Sequence, residues 1–151
     1  MEKIHYSYDD ITNLIKSNID RIKKYEPDYI IAIGGGGLIP ARILRNFIKK
    51  PIYVVTLSLY DDTHIKDNVE IIQWINLDLS NKKILIIDEV DDTRKTLDFC
   101  VKRLKKENNA NKIGVFVLQN KLKEKLGNLP NVHYISCEDI NDKWVVYPWD
   151  L

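Results

Sequence analysis

Apolar residues along this chain fall into two rhythms, a helical one and a run of short, almost wholly apolar strands. Residues 8 to 25 place Ile11, Leu14, Ile15, Ile19 and Ile22 at helical spacing behind Ser7 and Asp9, either of which suits a cap, and Pro27 closes the segment. This predicts one helix. "DYIIAIGGGG" reads as a strand entering a glycine turn, and "LIPARILRNFIKK" as a helix with Leu38, Ile39, Ile43, Leu44 and Phe47 facing inward. "PIYVVTLSLY" is a second strand, residues 61 to 68 a polar excursion, and "VEIIQWI" a strand returning from it. "KKILIID" reads as a fully buried strand ending near Asp88, followed by "TRKTLDFCVKRLKKEN" as an amphipathic helix with Leu97, Cys100, Val101 and Leu104 inside. "KIGVFVLQ" and "VHYIS" supply two more strands, and the closing "KWVVYPWDL" is short, aromatic and proline-broken. Apolar strands alternating with helices predict an α/β fold, its mostly parallel central sheet covered on both faces and its ligands bound at the carboxyl ends of the strands.

Composition narrows the picture without redirecting it. The chain has 151 residues, 44% of them hydrophobic, enough for a single domain over 1–151 with a sizeable core. Lys and Arg number 23 against 22 Asp and Glu, so whole-protein charge gives no argument for a nucleic-acid or membrane partner, and any electrostatic function is local. Cys100 and Cys137 are too few for a disulfide framework or zinc site, and His5, His64 and His133 lack partners at metal-ligand spacing. The start "MEKIHYSYDD" lacks the pattern of a secretory signal, and no apolar run reaches membrane-spanning length, so a cytoplasmic protein is expected.

The candidate chemistry lies behind "ILIID". Residues 88 to 92 hold four carboxylates in five positions, and Thr93, Arg94, Lys95 and Thr96 follow at once. At a strand-to-helix turn, backbone N–H groups, the two threonine hydroxyls, Lys95 and the helix dipole can surround a phosphate. Asp88 and Glu89 are acceptors suited to vicinal hydroxyls or to waters on a magnesium ion. A plainer reading makes Asp91 and Asp92 helix caps and Arg94 and Lys95 solvated charge; against it, adjacent carboxylates repel and call for a cation or hydroxyl partner. No Walker A pattern is present, and an acidic turn is the wrong chemistry for a dinucleotide fingerprint.

"ILIIDEVDDTRKTL" resembles the signature of type I phosphoribosyltransferases, an apolar strand leading to two acidic residues and then Asp-Thr-Gly-Lys-Thr, which binds phosphoribosyl pyrophosphate (PRPP). The resemblance implies that family's fold, with a small C-terminal hood. It implies that Asp88 and Glu89 contact the ribose hydroxyls directly or through Mg2+, that Asp91 to Thr96 belong to the PRPP site with residues 92 to 96 enclosing the 5-phosphate, and that Asp92 is the catalytic acid/base near purine N7. Arg94 stands where the family usually has glycine; non-glycine residues avoid positive φ, so the loop's shape is open there.

Other stretches extend the resemblance. Gly34, Gly35 and Gly36, within a run of four glycines, are similar to the family's pyrophosphate loop, which in many members contains a non-proline cis peptide; Gly35 replaces the usual basic residue, and Arg42 is a weak candidate for a helping cation. Read alone, the run also admits a simple tight turn with glycine used for packing. "SLYDDTHIKDN" occupies the place of a flexible loop closing over the reacting centre, with Ser58 and Tyr60 as candidate lid residues; a solvated hairpin tip is the alternative. "KWVVYPWD" resembles the end of small 6-oxopurine phosphoribosyltransferases, which makes Trp144 the stacking residue and Val145 the carbonyl that reads the base edge. Lys121 looks like the lysine that donates to O6, although Lys123 and Lys125 stand close by. The implied substrates are PRPP with hypoxanthine, guanine or xanthine, and the implied assembly a homodimer or homotetramer.

Two rivals accompany this reading. A PRPP-binding regulator of the same fold would control nucleic acid through the basic stripe Lys102, Arg103, Lys105 and Lys106, whose plainer role is a solvated helix face. A receiver-type signalling domain would draw its acidic pocket from several strand ends rather than one contiguous turn.

Overall fold

The computed structural model describes residues 1–60 and 68–151. Its elements, in chain order, are β1 (Lys3–His5), α1 (Tyr8–Ser17), α2 (Ile19–Tyr25), β2 (Tyr29–Gly34), α3 (Leu38–Arg45), β3 (Ile52–Tyr60), β4 (Asn68–Gln73), β5 (Lys83–Asp91), α4 (Lys95–Asn108), β6 (Lys112–Leu122), β7 (His133–Asn141) and β8 (Trp144–Val146). Six strands form one sheet in the order β4-β3-β2-β5-β6-β7, parallel throughout except for the antiparallel edge strand β4. This is the α/β architecture that the alternation of patterns predicts.

Strand alternation sorts the core into two layers. Ile30, Ala32, Leu85, Ile87, Phe116 and Leu118 face α1, α2 and α3 on one side. Ile31, Ile33, Ile84, Ile86, Val115 and Val117, their immediate neighbours in sequence, face Leu97, Cys100, Val101 and Leu104 of α4 on the other. Buried Asn108 closes the second layer: its side-chain amide donates to the carbonyls of Ile75 and Leu77 and its Oδ1 accepts from the Trp74 indole, tying the β4–β5 connection to the end of α4.

Three boundaries differ from the sequence reading. The single helix expected over 8–25 is two, because Asn18 leaves helical geometry at φ −112°, ψ 4° and its side-chain amide donates to the Leu14 carbonyl. Ser7 rather than Asp9 caps α1, in a reciprocal box with Asp10. In α3 the buried face is Pro40, Ala41 and Leu44, while Leu38 is exposed and Ile39, Ile43 and Phe47 are half-buried; small residues let the helix approach the sheet. The third difference matters for function: β5 does not stop at Asp88 but runs to Asp91, since Val90 and Asp91 still pair with Gln119 and Asn120 of β6.

The chain ends build a feature that periodicity does not reveal. β1 and β8 form a small parallel two-stranded sheet. Tyr147 just beyond it stacks on Trp149 at 4.9 Å between ring centroids, and its hydroxyl bonds Gln119 Oε1 at 2.6 Å. Tyr6 donates to Glu138 at 2.6 Å. Both chain ends are thereby held over the carboxyl end of β6 and β7.

Gly37 fixes how closely α3 approaches β5, because a Cβ there would strike the carbonyls of Ile87 and Ile33, backbone atoms with no freedom to yield. Gly37→Ala is expected to destabilise the protein by about 1–3 kcal/mol, the usual range for overpacking, read as a lowered midpoint in urea.

Candidate active site

Adjacent strands β2 and β5 send their following connections to opposite sides of the sheet, β2 toward β3 and β5 toward β6, and this is where an open α/β sheet leaves a crevice. Ala32 pairs with Ile87, which sets the glycine turn directly beside the acidic one. The proximity is tight: a Cβ on Gly36 would collide with the Glu89 carboxylate. No glycine has positive φ; Gly34, Gly36 and Gly37 serve close approach, Gly35 faces open space, and the Gly34–Gly35 peptide is cis.

A cavity of about 210 Å³ lies at the end of β5, lined by residues 88 to 97 together with Leu59. Every residue of the sequence-predicted PRPP stretch is therefore around one space. Asp88 is buried and Glu89 half-buried. Burial and the neighbouring Glu89 charge drive the Asp88 carboxyl well above the ordinary range; burial and the charge of Asp150 raise Glu89, against a hydrogen bond with Asp88 that lowers it. Two adjacent carboxylates so placed suit a hard cation that completes its shell with water and substrate oxygens, as magnesium does. Among the described residues no group of three or more His, Cys, Asp or Glu side chains converges as a self-sufficient metal site.

The remaining two acids of the stretch have different surroundings. Asp91 is fully buried, and its Oδ2 accepts Arg94 Nε at 2.9 Å, Arg94 Nη2 at 2.8 Å and the Tyr134 hydroxyl at 2.7 Å. Arg94 takes the left-handed conformation, φ 72° and ψ 3°, immediately before α4. That conformation costs a non-glycine residue ~1–2 kcal/mol, so the open question of loop shape resolves in favour of the glycine-like backbone. Asp92 is half-exposed. Burial works to raise its pKa, but the ammonium of Lys123 and the charges of Lys121 and Lys125 outweigh it, and the net shift is downward.

The three lysines at the end of β6, indistinguishable in sequence, have separate positions. Lys121 is buried, with its ammonium 3.7 Å from Asp92 and 3.7 Å from Asp142, held by charge without a close hydrogen bond to either. Lys123 bridges the same two carboxylates at 2.8 and 3.3 Å. Lys125 donates to the carbonyls of Asp91, Asp92 and Lys121 at 2.9, 2.8 and 2.8 Å, a structural tie. Asp142 stands two residues before Trp144, so this cluster brings Asp92 and Lys121 together with the aromatic tail. Trp144 is 58% exposed and Val145 is buried beside it. Tyr147 joins the tail to the acidic strand by donating to the Glu89 carbonyl at 3.2 Å.

Sequence reasoning named Lys123 only as a neighbour of Lys121 and gave no role to Asp142, Tyr134 or Tyr147; these four reach the site from β7, the tail and the residues just past β6 and β7, and carry no local motif. Ser58 is half-buried on β3 opposite Glu70, and its neighbour Leu59, on the other face of the strand, lines the cavity. The side chain of Tyr60 and residues 61–67, including His64, lie outside the described residues, and with them the expected lid. Arg42 donates to Asn46 on α3. Of the basic stripe on α4, Lys102 pairs with Asp98 at 2.7 Å, and Arg103 meets Glu107 at 4.0 Å and the Trp74 ring at 5.6 Å, so half of it is occupied within the fold.

The phosphoribosyl transferase domain family matches the whole chain, residues 1–151. The chain belongs to that family. The chain is 37% identical to the hypoxanthine-guanine phosphoribosyltransferase of Saccharomyces cerevisiae, over 99% of this chain and 86% of that protein. It is 38% identical to xanthine phosphoribosyltransferase 1 of the same yeast, over 99% and 90% of the two chains. A Neisseria gonorrhoeae protein whose crystal structure holds bound ppGpp superposes with a TM-score of 0.88 at 42% identity, covering 99% of this chain and 90% of that one. In this phosphoribosyltransferase no helix among the described residues is long and apolar enough to cross a membrane.

The raised Asp88 carboxyl carries a stability consequence with a definite sign. Its folded pKa lies above its unfolded one, so the folded state holds the extra proton; stability falls as pH rises from the ordinary carboxylate range through the folded value. Asp88→Asn, which keeps the acceptor and removes the charge, is expected to stabilise the ligand-free protein at pH 8 by more than about 1 kcal/mol, one pKa unit being about 1.4 kcal/mol. The gain shrinks toward pH 4, as urea unfolding at the two pH values will read.

Proposed function

We propose that residues 1–151 act as one catalytic domain that joins a 6-oxopurine (hypoxanthine, guanine or xanthine) to the phosphoribosyl group of PRPP, releasing pyrophosphate and a purine nucleoside 5′-monophosphate. The observation that carries this reading is that the whole 88–96 stretch lines one cavity, with the glycine turn against Glu89 and Lys121 3.7 Å from Asp92. The yeast relatives, named for hypoxanthine-guanine and xanthine phosphoribosyl transfer, support the purine assignment. Homodimer or homotetramer assembly and a cytoplasmic setting accompany the reading, as the family resemblance implies.

The residues divide the task. Backbone amides and hydroxyls of Thr93 and Thr96, with Lys95, enclose the 5-phosphate at the start of α4. Asp88 and Glu89 hold the ribose hydroxyls and a magnesium ion, and the amides of Gly34, Gly35 and Gly36 face the pyrophosphate. When bound, magnesium neutralises charge on the departing pyrophosphate. As the C1–oxygen bond breaks, the electron pair leaves with pyrophosphate, and the purine N9 lone pair closes on C1. The proton carried at N7 then passes to Asp92, whose lowered pKa keeps it ionised at neutral pH as an acceptor. Lys121, between two carboxylates and free of a short bond to either, is placed to donate to the purine O6, an interaction that the amino group of adenine does not accept. Trp144 offers its exposed face to the base, and the Val145 carbonyl reads its edge.

Nucleotide formation from each purine with PRPP and Mg2+ tests the assignment: 6-oxopurines react and adenine does not. Asp92→Asn is expected to lower kcat by about 100-fold or more, with the KM for PRPP changed far less; equal losses in both would remove Asp92 from the proton transfer. The gonococcal relative holds ppGpp, a guanosine carrying two pyrophosphate groups. In this protein ppGpp is expected to inhibit competitively against PRPP, as initial-rate kinetics at varied PRPP will show.

A further inference from the structure

The left-handed arginine of the phosphate loop is built into the fold in a way that glycine would not be. Its guanidinium directs Nε and Nη2 onto one oxygen of buried Asp91, at 2.9 and 2.8 Å, and lies 5.0 Å above the Tyr134 ring. The Tyr134 hydroxyl bonds the same Asp91 oxygen. Arginine, carboxylate and tyrosine thus tie together the end of β5, the first residue before α4 and the body of β7. The opposite side of the loop is fastened through its carbonyls. Those of Asp91 and Asp92 accept Lys125, and that of Thr93 accepts the amides of Leu126 and Gly127 at 2.9 and 3.1 Å. In a trans peptide the N–H points opposite to the C=O it follows. The amides of Asp92, Thr93 and Arg94 therefore point away from the 125–127 segment, and the same three residues line the cavity.

We propose that Arg94 is a positioning residue for PRPP: its fork onto Asp91, braced by Tyr134, holds the left-handed turn that presents the loop amides to the 5-phosphate. The guanidinium is turned into the fold and does not itself bind the phosphate. The inference rests on the phosphoribosyl transfer proposed above. It predicts an outcome opposite to simple motif repair, because restoring the family's glycine at this position relaxes the backbone and also removes the group that fixes its shape.

The test compares the wild-type protein with Arg94→Gly, Arg94→Lys and Tyr134→Phe. Kinetics give KM for PRPP and for guanine, and calorimetry gives the Kd of PRPP with Mg2+. Arg94→Gly is expected to raise the KM and Kd for PRPP at least tenfold while the KM for guanine changes less than twofold. Arg94→Lys, a cation without the fork, falls between wild type and Arg94→Gly. Tyr134→Phe, which keeps the ring and removes one bond to Asp91, shifts PRPP affinity the same way by about threefold, and it carries the test alone should Arg94→Gly fail to fold. PRPP binding in Arg94→Gly equal to or tighter than wild type would overturn the proposal, as would a parallel rise in both KM values or an unchanged PRPP affinity in Tyr134→Phe. A wild-type protein that binds PRPP but forms no nucleotide from any purine would sink the purine reading, and Kd alone would then judge Arg94.

Discussion

The site depends on the parallel pairing of β2 with β5. That contact makes the glycine turn and the acidic turn neighbours, although about fifty residues of chain separate them, and it leaves so little space that a side chain at Gly37 would strike backbone and one at Gly36 would displace the Glu89 carboxylate. The two layers of core exist to hold this pair flat: Ile30, Ala32, Leu85 and Ile87 on one face, and Ile31, Ile33, Ile84 and Ile86 on the other, have nowhere to go if the register slips. Ligand chemistry is set here by strand register before any single side chain contributes.

Around that centre, charge is sorted although its total is nearly zero. Asp88 and Glu89 stand side by side with their carboxyls raised, while Asp92 shares Lys121 and Lys123 with Asp142 and its carboxyl is lowered. Neighbouring acids of one short run are thus shifted in opposite directions, and in the proposed function this separates the acids assigned to the sugar from the one assigned to the purine proton.

Much of this was legible in sequence because local periodicity and one contiguous motif carried it. The strands around "IIAI", "ILII" and "GVFVL", the inward face of α4 and the gathering of residues 88–96 at one cavity needed no tertiary information, whereas the extension of β5 to Asp91 depends on its pairing with β6. What failed to show was non-local. Three-residue strands such as β1 and β8 have too few positions to display a period, and the break at Asn18 turns on one side-chain hydrogen bond. Lys121, Lys123 and Lys125 look alike in the chain, and only the positions of Asp142 and the loop carbonyls separate them. Arg94 looked like an obstacle to the loop because its remedy, Tyr134, is forty residues away in sequence.

The two sulfurs illustrate a last property of the packing. Cys100 lies wholly inside α4's buried face, where burial and the nearby Asp88 charge push its thiol upward; Cys137 is raised to about 12, chiefly by burial. Neither supplies thiolate at neutral pH, and nucleophilic attack on peroxide or an alkylating reagent needs thiolate. The two core layers are therefore poorly reactive at their sulfurs, one on each face of the sheet.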